Sequence, residues 1–314
     1  MSDIGIVVVT YNSAAVIGAC LDAALDARAD IVVVDNASRD GTRAEVERRN
    51  VRFIANSANR GFAAAVNQGC AALDSPYLLI LNPDAILTST LDALREACDL
   101  PRAAAAGGKL LNTDGRPQIG FMVRQLPTPA ALILEVLLLN RLWPGNPVNR
   151  KYRALRLDYS CLQTVEQPAG AFLMIRRDVW KRLGGFDEKF WPAWFEDVDF
   201  CRRAIDAGYS VHYTPQAVAK HTGAHSFTGL SLEMRRIYWY RGLLRYSAKH
   251  FRRAGVKAVC LAVVAGSCLR AVLGSMREKS LRPFATYGSV VRMAGRMFFG
   301  REVGAVPSVL NLKG

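Results

Sequence analysis

Four short aliphatic runs constrain the fold of this chain more than any other feature. "IGIVVVTY" (Ile4 to Tyr11), "DIVVVDN" (Asp30 to Asn36), "VRFIAN" (Val51 to Asn56) and "YLLILN" (Tyr77 to Asn82) recur at intervals near the N-terminus. Each has the length and the β-branched or aliphatic content of a strand, and the stretches between them suit helices of roughly ten residues. Strands that are apolar along their whole length are buried on both faces. Alternating with helices, they predict an α/β domain on a mostly parallel sheet flanked by helices.

In such sheets ligands bind beyond the carboxyl ends of the strands. Three of the runs end in polar residues: "TYNS" (Thr10 to Ser13), "DNASRDGT" (Asp35 to Thr42) and "NPDA" (Asn82 to Ala85). "NRGFAAAVNQG" (Asn59 to Gly69) adds a glycine turn opening a small-residue helix, whose first amides can face a phosphate. All four are expected on one rim. Each also has a local reading. Asn, Pro and Asp are ordinary turn residues, and Asn12, Ser13, Ser38 or Asp40 can cap the following helix. Asp84, two residues after Asn82, is otherwise a carboxylate for Mg²⁺ or Mn²⁺, and Asp35 an acceptor for a base or ribose group.

After Gly107 the pattern loosens. "LPTPAALILEVLLLNRLWPGNPVNRKYR" (Leu126 to Arg153) joins an apolar helical run to a Pro/Gly-rich basic loop, and residues 126–160 are expected to form a mobile insert over the site. Strand, helix, acidic turn, helix and strand then return between Gly170 and His221. "WFEDVDFCRRA" (Trp194 to Ala204) places Glu196, Asp197 and Asp199 among aromatic residues. Apolar surroundings and like charge raise carboxylate pKa values, which suits a general base; the same acids also complement a helix N-terminus. His221 closes "HYTPQAVAKH", with His225 four residues later, and on its own reads more readily as a structural or surface histidine than as a ligand.

Composition narrows the class. With 51% hydrophobic and 22% charged residues, the 314-residue chain is neither disordered nor fibrous. Its seven cysteines are scattered, with no C-x-x-C pair, which argues against a zinc ribbon or disulfide framework and fits a reducing cytoplasm. The acidic, strand-like start does not resemble a secretory signal. Lys and Arg outnumber Asp and Glu by 16 to 3 from Ser226 onward, against 25 to 24 before it. A near-neutral body with a basic tail implies that the tail meets an anionic surface.

In this order, the blocks "VVVTYNS", "IVVVDNASRDGT", "NRGFAAAVNQG", "LLILNPDA", "GAFLMIRRDVWKRLGGFDEKFW", "FEDVDFCRRA" and "VAKHTGAHSF" resemble the family 2 glycosyltransferases of the GT-A fold. The resemblance is strongest to bacterial rhamnosyltransferase-type members of cell-surface polysaccharide assembly. It implies a glycosyltransferase domain over residues 1–225 in which Thr10, Tyr11, Asn12, Asp35, Asn36, Asn59, Gly61, Asn82 and Asp84 bind the nucleotide-sugar, with UDP or dTDP as carrier. It further implies Asp84 and His221 as ligands of Mg²⁺ or Mn²⁺, and Asp197, beside Glu196, as the base of an inverting transfer. Where many members have Asp-x-Asp, this chain has Asn82-Pro83-Asp84.

Residues 226–314 are expected to be a basic, helical, membrane-associating region. "EMRRIYWYRGLLRYSAKHFRRAG" (Glu233 to Gly255) places Ile237, Tyr240, Leu244, Ala248 and Phe251 at helical spacing. "AVCLAVVAGSCL" (Ala258 to Leu269) is shorter than the ~20 residues that span a bilayer. Interfacial binding to anionic lipid on the inner face of the cell membrane is therefore expected, and the family suggests a polyprenyl-diphosphate-linked acceptor. The alternative is a helical subdomain with a solvated basic face; nucleic acid is not expected, since none of its recognition motifs is present. A nucleotidyltransferase and a catalytically silent glycan-binding scaffold are the competing functions. The first lacks an early Gly-rich, Lys/Arg-containing triphosphate loop here.

Overall fold

The computed structural model describes residues 2–223 and 231–301, in two compact units. One comprises Met1–Pro127 and Gly145–Ser231, the other Thr128–Pro144 and Leu232–Gly314. His225 lies outside the described residues.

The first unit starts with β1 (Ile4–Thr10), α1 (Ala14–Asp26), β2 (Asp30–Asp35), α2 (Thr42–Glu47), β3 (Arg52–Ala55), α3 (Phe62–Ala71) and β4 (Tyr77–Leu81), the alternation the aliphatic runs predict. β5 (Ala85–Leu87), α4 (Asp92–Asp99), β6 (Ala103–Leu111) and β7 (Val123–Arg124) follow. The chain then leaves for the second unit with α5 (Pro129–Val136) and α6 (Leu139–Leu142), and returns with α7 (Pro147–Tyr152), β8 (Gln163–Val165) and β9 (Gln167–Pro168). β10 (Phe172–Arg176), α8 (Arg177–Leu183), α9 (Glu196–Asp206) and β11 (Ser210–His221) complete the first unit.

Nine strands form one sheet in the order β3-β2-β1-β4-β10-β6-β11-β5, with β8 also paired to β11; β7 and β9 form a separate pair. β3, β2, β1 and β4 are parallel neighbours, as are β6 and β11. β10 runs antiparallel between β4 and β6, and β5 and β8 run antiparallel to β11. Six strands thus share a direction and three oppose it. Val7, Val8, Val32, Val33, Leu78 and Leu79 are fully buried, as strands covered on both faces require. The reversed β10 fits beside β6 because β6 is made of small residues. A Cβ on Gly108 would fall 2.2 Å from the Phe172 ring, and one on Gly107 would fall 2.3 Å from Pro168.

The second unit packs α5 with α10 (Leu232–His250), α11 (Arg253–Glu278) and α12 (Arg282–Phe298). The expected single helix from Glu233 to Gly255 is two: α10 ends at His250 and α11 begins at Arg253. Ile237, Tyr240 and Leu244 are buried as their spacing predicts, whereas Ala248 is exposed and Phe251 lies beyond the helix. The short apolar run also proves part of something longer. α11 has 26 residues and is long and apolar enough to cross a membrane, although 39% of its apolar window is buried within the protein.

Candidate active site

Topology brings the polar strand ends together. β1, β2 and β4 end at Thr10, Asp35 and Leu81, and β11, pointing the same way, ends at His221. The antiparallel β10 begins at Phe172 opposite Leu81, and β5 begins at Ala85 opposite His221. The "TYNS", "DNAS" and "NPDA" corners, the loop before β10 and His221 therefore share one edge of the sheet.

On the β1–β2 side the predicted nucleotide residues mostly hold one another. Thr10 Oγ1 donates to Asp35 Oδ1 (2.7 Å), and the Ser38 amide donates to Asp35 Oδ2 (2.9 Å), with the Ser38 hydroxyl also on Oδ1. The Asn12 amide donates to Ser38 Oγ (2.8 Å), while Asn12 Oδ1 accepts from the Arg39 amide (2.8 Å). Asn12 adopts a left-handed backbone (φ 52°) at this corner, and the Tyr11 amide donates to Ser13 Oγ (3.3 Å). Asn36 reaches the glycine turn: its Nδ2 donates to the Gly61 carbonyl (3.1 Å) and its Oδ1 accepts from the Arg60 amide (3.3 Å). Asn59 Oδ1 accepts from the Gly61 amide (2.9 Å). Gly61 has φ 87°, and a Cβ there would lie 2.6 Å from the Trp191 ring. The first amide of α3, on Phe62, donates to the Pro192 carbonyl (2.7 Å), so this one is not open to a phosphate.

At the β4–β11 side Asp84 and His221 meet. Both are 3% exposed, with His221 Nε2 3.4 Å from Asp84 Oδ1 and 3.4 Å from Asn82 Nδ2. The imidazole is gripped from behind. Its Nδ1 lies 3.1 Å from Gln118 Oε1, Gln118 Nε2 donates to the His221 carbonyl (2.7 Å), and the Phe121 ring stacks on it at 5.4 Å and 12°. Because an amide oxygen only accepts, Nδ1 carries a hydrogen, and the other ring nitrogen, Nε2, faces Asp84. A carboxylate beside an imidazole nitrogen suits Mn²⁺ or Mg²⁺, which take phosphate and water oxygens for their other positions. Among the described residues no group of three or more His, Cys, Asp or Glu side chains forms a self-sufficient cage.

The acids arrive at the start of α9, after Trp194 and Phe195 both adopt left-handed backbone (φ 77° and 75°). Such conformations are costly for bulky residues and fix the direction in which the helix starts. Glu196 is buried, with Oε2 lacking a hydrogen-bond partner; burial, then the charges of Asp197 and Asp199, raises its pKa well above the usual range. Asp199 is paired with Arg203 (2.8 Å) and anchors the helix. Asp197 is partly buried, the least so of the three. Its Oδ2 accepts from the Gly170 amide (2.9 Å) and from Gln167 Nε2 (3.4 Å). Burial raises its pKa, opposed by the amides of Gly170 and Val198 and by the charge of Arg124. The residue after Gly170 is Ala171, whose carbonyl accepts from the Asn82 amide (3.0 Å). One short path of backbone therefore ties Asp197 to the corner that carries Asp84.

Sequence reasoning did not single out Gln118, Phe121, Gln167 or Arg124. The first two lie in the loosened stretch after β6, where no periodicity marks them. Gly170 stood in a quoted block, but its role depends on an approach only the fold reveals: a Cβ there would lie 3.0 Å from Asp197 Oδ2.

Comparison with known proteins identifies the family. Residues 5–183 match the model of glycosyl transferase family 2, and residues 153–300 that of glycosyl transferase family group 2. The chain is 31% identical over 264 residues to an N-acetylglucosaminyl-diphospho-decaprenol L-rhamnosyltransferase of Mycobacterium tuberculosis, covering 74% of this chain and 83% of that one. It is 27% identical over 169 residues to the rhamnosyltransferase WbbL of Escherichia coli, covering 53% of this chain and 60% of WbbL. Among solved structures, a Pyrobaculum calidifontis mannosyltransferase with GDP-Man and Mn²⁺ shares the fold at a TM-score of 0.52 and 17% identity, covering 95% of this chain and 87% of that one. S. aureus TarS in complex with UDP-GlcNAc does so at 0.50 and 15%, covering 95% and 92%. With a GT-A sheet, a basic helical extension and these matches, the chain belongs to glycosyl transferase family 2 and is a glycosyltransferase similar to rhamnosyltransferases.

Proposed function

We propose that this enzyme moves a hexosyl group, rhamnose from dTDP-rhamnose, onto a hydroxyl of a polyprenyl-diphosphate-linked glycan during cell-surface polysaccharide assembly, by a metal-dependent inverting displacement on the inner face of the membrane. The observation that carries the chemistry is the tie from Asp197 through Gly170 and Ala171 to the Asn82–Asp84 corner, which joins a base to a diphosphate-binding edge. The rhamnosyltransferase names of the sequence relatives support the sugar, and the decaprenol-linked substrate in one of those names supports the acceptor class.

The acceptor hydroxyl attacks the anomeric carbon as the bond to the diphosphate oxygen breaks, and its proton passes to Asp197. A carboxyl pKa raised by burial makes Asp197 a better proton acceptor than a solvated aspartate. The Gly170 and Val198 amides, donating to its carboxylate, oppose that rise and favour the charged form. Glu196, more deeply buried and beside the charges of Asp197 and Asp199, has its pKa raised well above the usual range and so favours its neutral form next to the base. Arg124, with its guanidinium over the Tyr152 ring (5.7 Å), favours the Asp197 anion. On the donor side, Asp84 and His221 would hold Mg²⁺ or Mn²⁺, which supplies positive charge to the diphosphate leaving group. Asp35, Asn36 and Asn12 shape the nucleotide edge by fixing the glycine turn and the β1 corner.

The test is calorimetric binding of UDP-, dTDP- and GDP-sugars to the full chain with Mn²⁺, with Mg²⁺ and with chelator. Metal-dependent binding of dTDP-rhamnose is the expected result. A folded protein that binds no nucleotide-sugar under any metal condition overturns the donor site, and a UDP- or GDP-sugar preference overturns the rhamnose assignment alone.

A further inference from the structure

The second unit's exposed apolar surface is not on the helix whose spacing suggested a membrane face. In α10, Ile237, Tyr240 and Leu244 are inside. Six of the large apolar side chains left in solvent lie together at the end of α11, its turn and the start of α12: Leu269, Val272, Leu273, Met276, Leu281 and Phe284; others of the same unit, among them Leu142, Trp143 and Phe299, are exposed away from this tip. Met276 and Leu281 are 73% and 76% exposed. Positions 269, 272, 273 and 276 are one stripe of a helix, and 281 and 284 are one helical step apart across the turn. The other stripe of α11, with Val259, Val263 and Ala271, is buried.

The tip is built, not loose. Lys279 ends α11 in the left-handed conformation (φ 48°), Ser275 Oγ donates to the Ser280 carbonyl (2.7 Å), and the Arg282 amide donates to Ser280 Oγ (3.2 Å). Pro283 opens α12 and packs against Gly274, where a Cβ would come within 3.1 Å. Three exposed cations, Arg277, Lys279 and Arg282, surround the apolar tip, against one exposed acid, Glu278.

We infer that the α11–α12 tip inserts into an anionic lipid surface, with Leu273, Met276, Leu281 and Phe284 at the acyl boundary and Arg277, Lys279 and Arg282 on headgroup phosphates. This deepens the membrane-side reading above and rests on it, but is independent of the donor site. Protein interfaces deplete lysine at their centres, whereas an apolar wedge ringed by cations matches the layered chemistry of an acidic bilayer. Insertion of the tip also leaves the rest of α11 in place. Arg270 donates to the carbonyls of Glu135 (3.2 Å) and Val136 at the end of α5, bonds that a spanning α11 would have to break.

The test is co-sedimentation of the full chain with phosphatidylcholine vesicles, with and without phosphatidylglycerol. Two variants are compared with wild type: Met276→Ser/Leu281→Ser/Phe284→Ser, and Arg277→Gln/Lys279→Gln/Arg282→Gln. All six positions are exposed, so unchanged melting temperatures are expected. Wild type should bind the anionic vesicles and be released by salt. The charge variant should bind them roughly a hundredfold more weakly at low salt, at about fivefold per cation, and the apolar variant at least about tenfold more weakly. Wild-type binding by both variants overturns the tip as the docking element while the membrane reading stands. Failure of wild type to bind anionic vesicles overturns both. A wild-type dimer that the apolar variant dissociates, with vesicle binding unchanged, assigns the face to a second copy instead.

Discussion

Two adjacent carboxylates at the start of α9 have different environments, and the proposed base, Asp197, and its neighbour Glu196 should differ accordingly in pH dependence. A base must be ionised to act, and the raised pKa of Asp197 places the rising limb of kcat/KM against pH above the ordinary aspartate value of about 3.9. Asp197→Asn, which still accepts from Gly170, should lower kcat by about 10²–10⁴-fold and remove that limb while leaving donor affinity unchanged in calorimetry. Glu196 gives the opposite signature, in stability. Its folded-state pKa lies well above the unfolded one, so the folded protein gains stability below the ordinary carboxylate pKa and loses it as pH rises through the folded value. Glu196→Gln should therefore raise the melting temperature at pH 8 and match wild type at pH 4. Gln118 acts through His221. If it fixes the Nδ1–H tautomer, Gln118→Leu should weaken Mn²⁺ binding in the nucleotide complex by about 10–100-fold, read by paramagnetic resonance. Gln118→Glu, which keeps an acceptor for Nδ1, should bind Mn²⁺ at least as well as wild type. Equal loss in both variants would make Gln118 a packing residue. Asp84 and His221 stand at strand ends and were legible as candidates in the sequence; Gln118 was not, because its place behind the imidazole depends on a loop that no hydropathy period marks.

At the scale of elements, hydropathy fixes what is buried on both faces and says little about direction. β1, β2 and β4 were legible because runs such as "IVVVD" tolerate no exposed face, and their carboxyl ends followed at once; β3, at the sheet edge, buries none of its residues fully and was found by its β-branched and aromatic content alone. The reversal of β10 was not, because "FLMIR" is equally apolar in either direction; what admits it is the small-residue strand β6 beside it. That reversal brings Gly170, just before β10, to the same edge as the end of β4. Its amide can then hold Asp197, provided residue 170 has no side chain. Gly170→Ala puts a Cβ 3.0 Å from both Cβ and Oδ2 of Asp197, and backbone and acid must part. The expected outcome is a fall in kcat of about 10-fold or more with donor affinity within about twofold of wild type, since small misplacements of a reacting group cost that much. A loss confined to donor affinity would place Gly170 in the nucleotide edge instead.

For the molecule as a whole, the chain order hides how the helical unit is assembled. Charge marks a boundary near residue 226, and the basic region after it reads as a self-contained tail. Residues 128–144, however, belong to the same unit as that tail although about ninety residues separate them in sequence. The reason is packing. α5 buries Ala131, Leu132 and Val136, α11 approaches so closely that a Cβ on Gly266 would lie 2.1 Å from the Val136 carbonyl, and Arg270 closes the end of α5. Truncation after Ser231 would consequently not release a clean catalytic domain. It would strip α5 of α11 and expose its apolar side chains, at about 1.5–3 kcal/mol for each large one, as an apolar patch open to other copies. The 1–231 fragment should elute as aggregate in size-exclusion chromatography. The same fragment carrying Leu132→Ser and Val136→Ser should recover a monomer peak that still binds nucleotide-sugar. If the unmodified fragment is monomeric and melts as one transition, α5 does not depend on α11, and the boundary that charge suggests is also the boundary of folding.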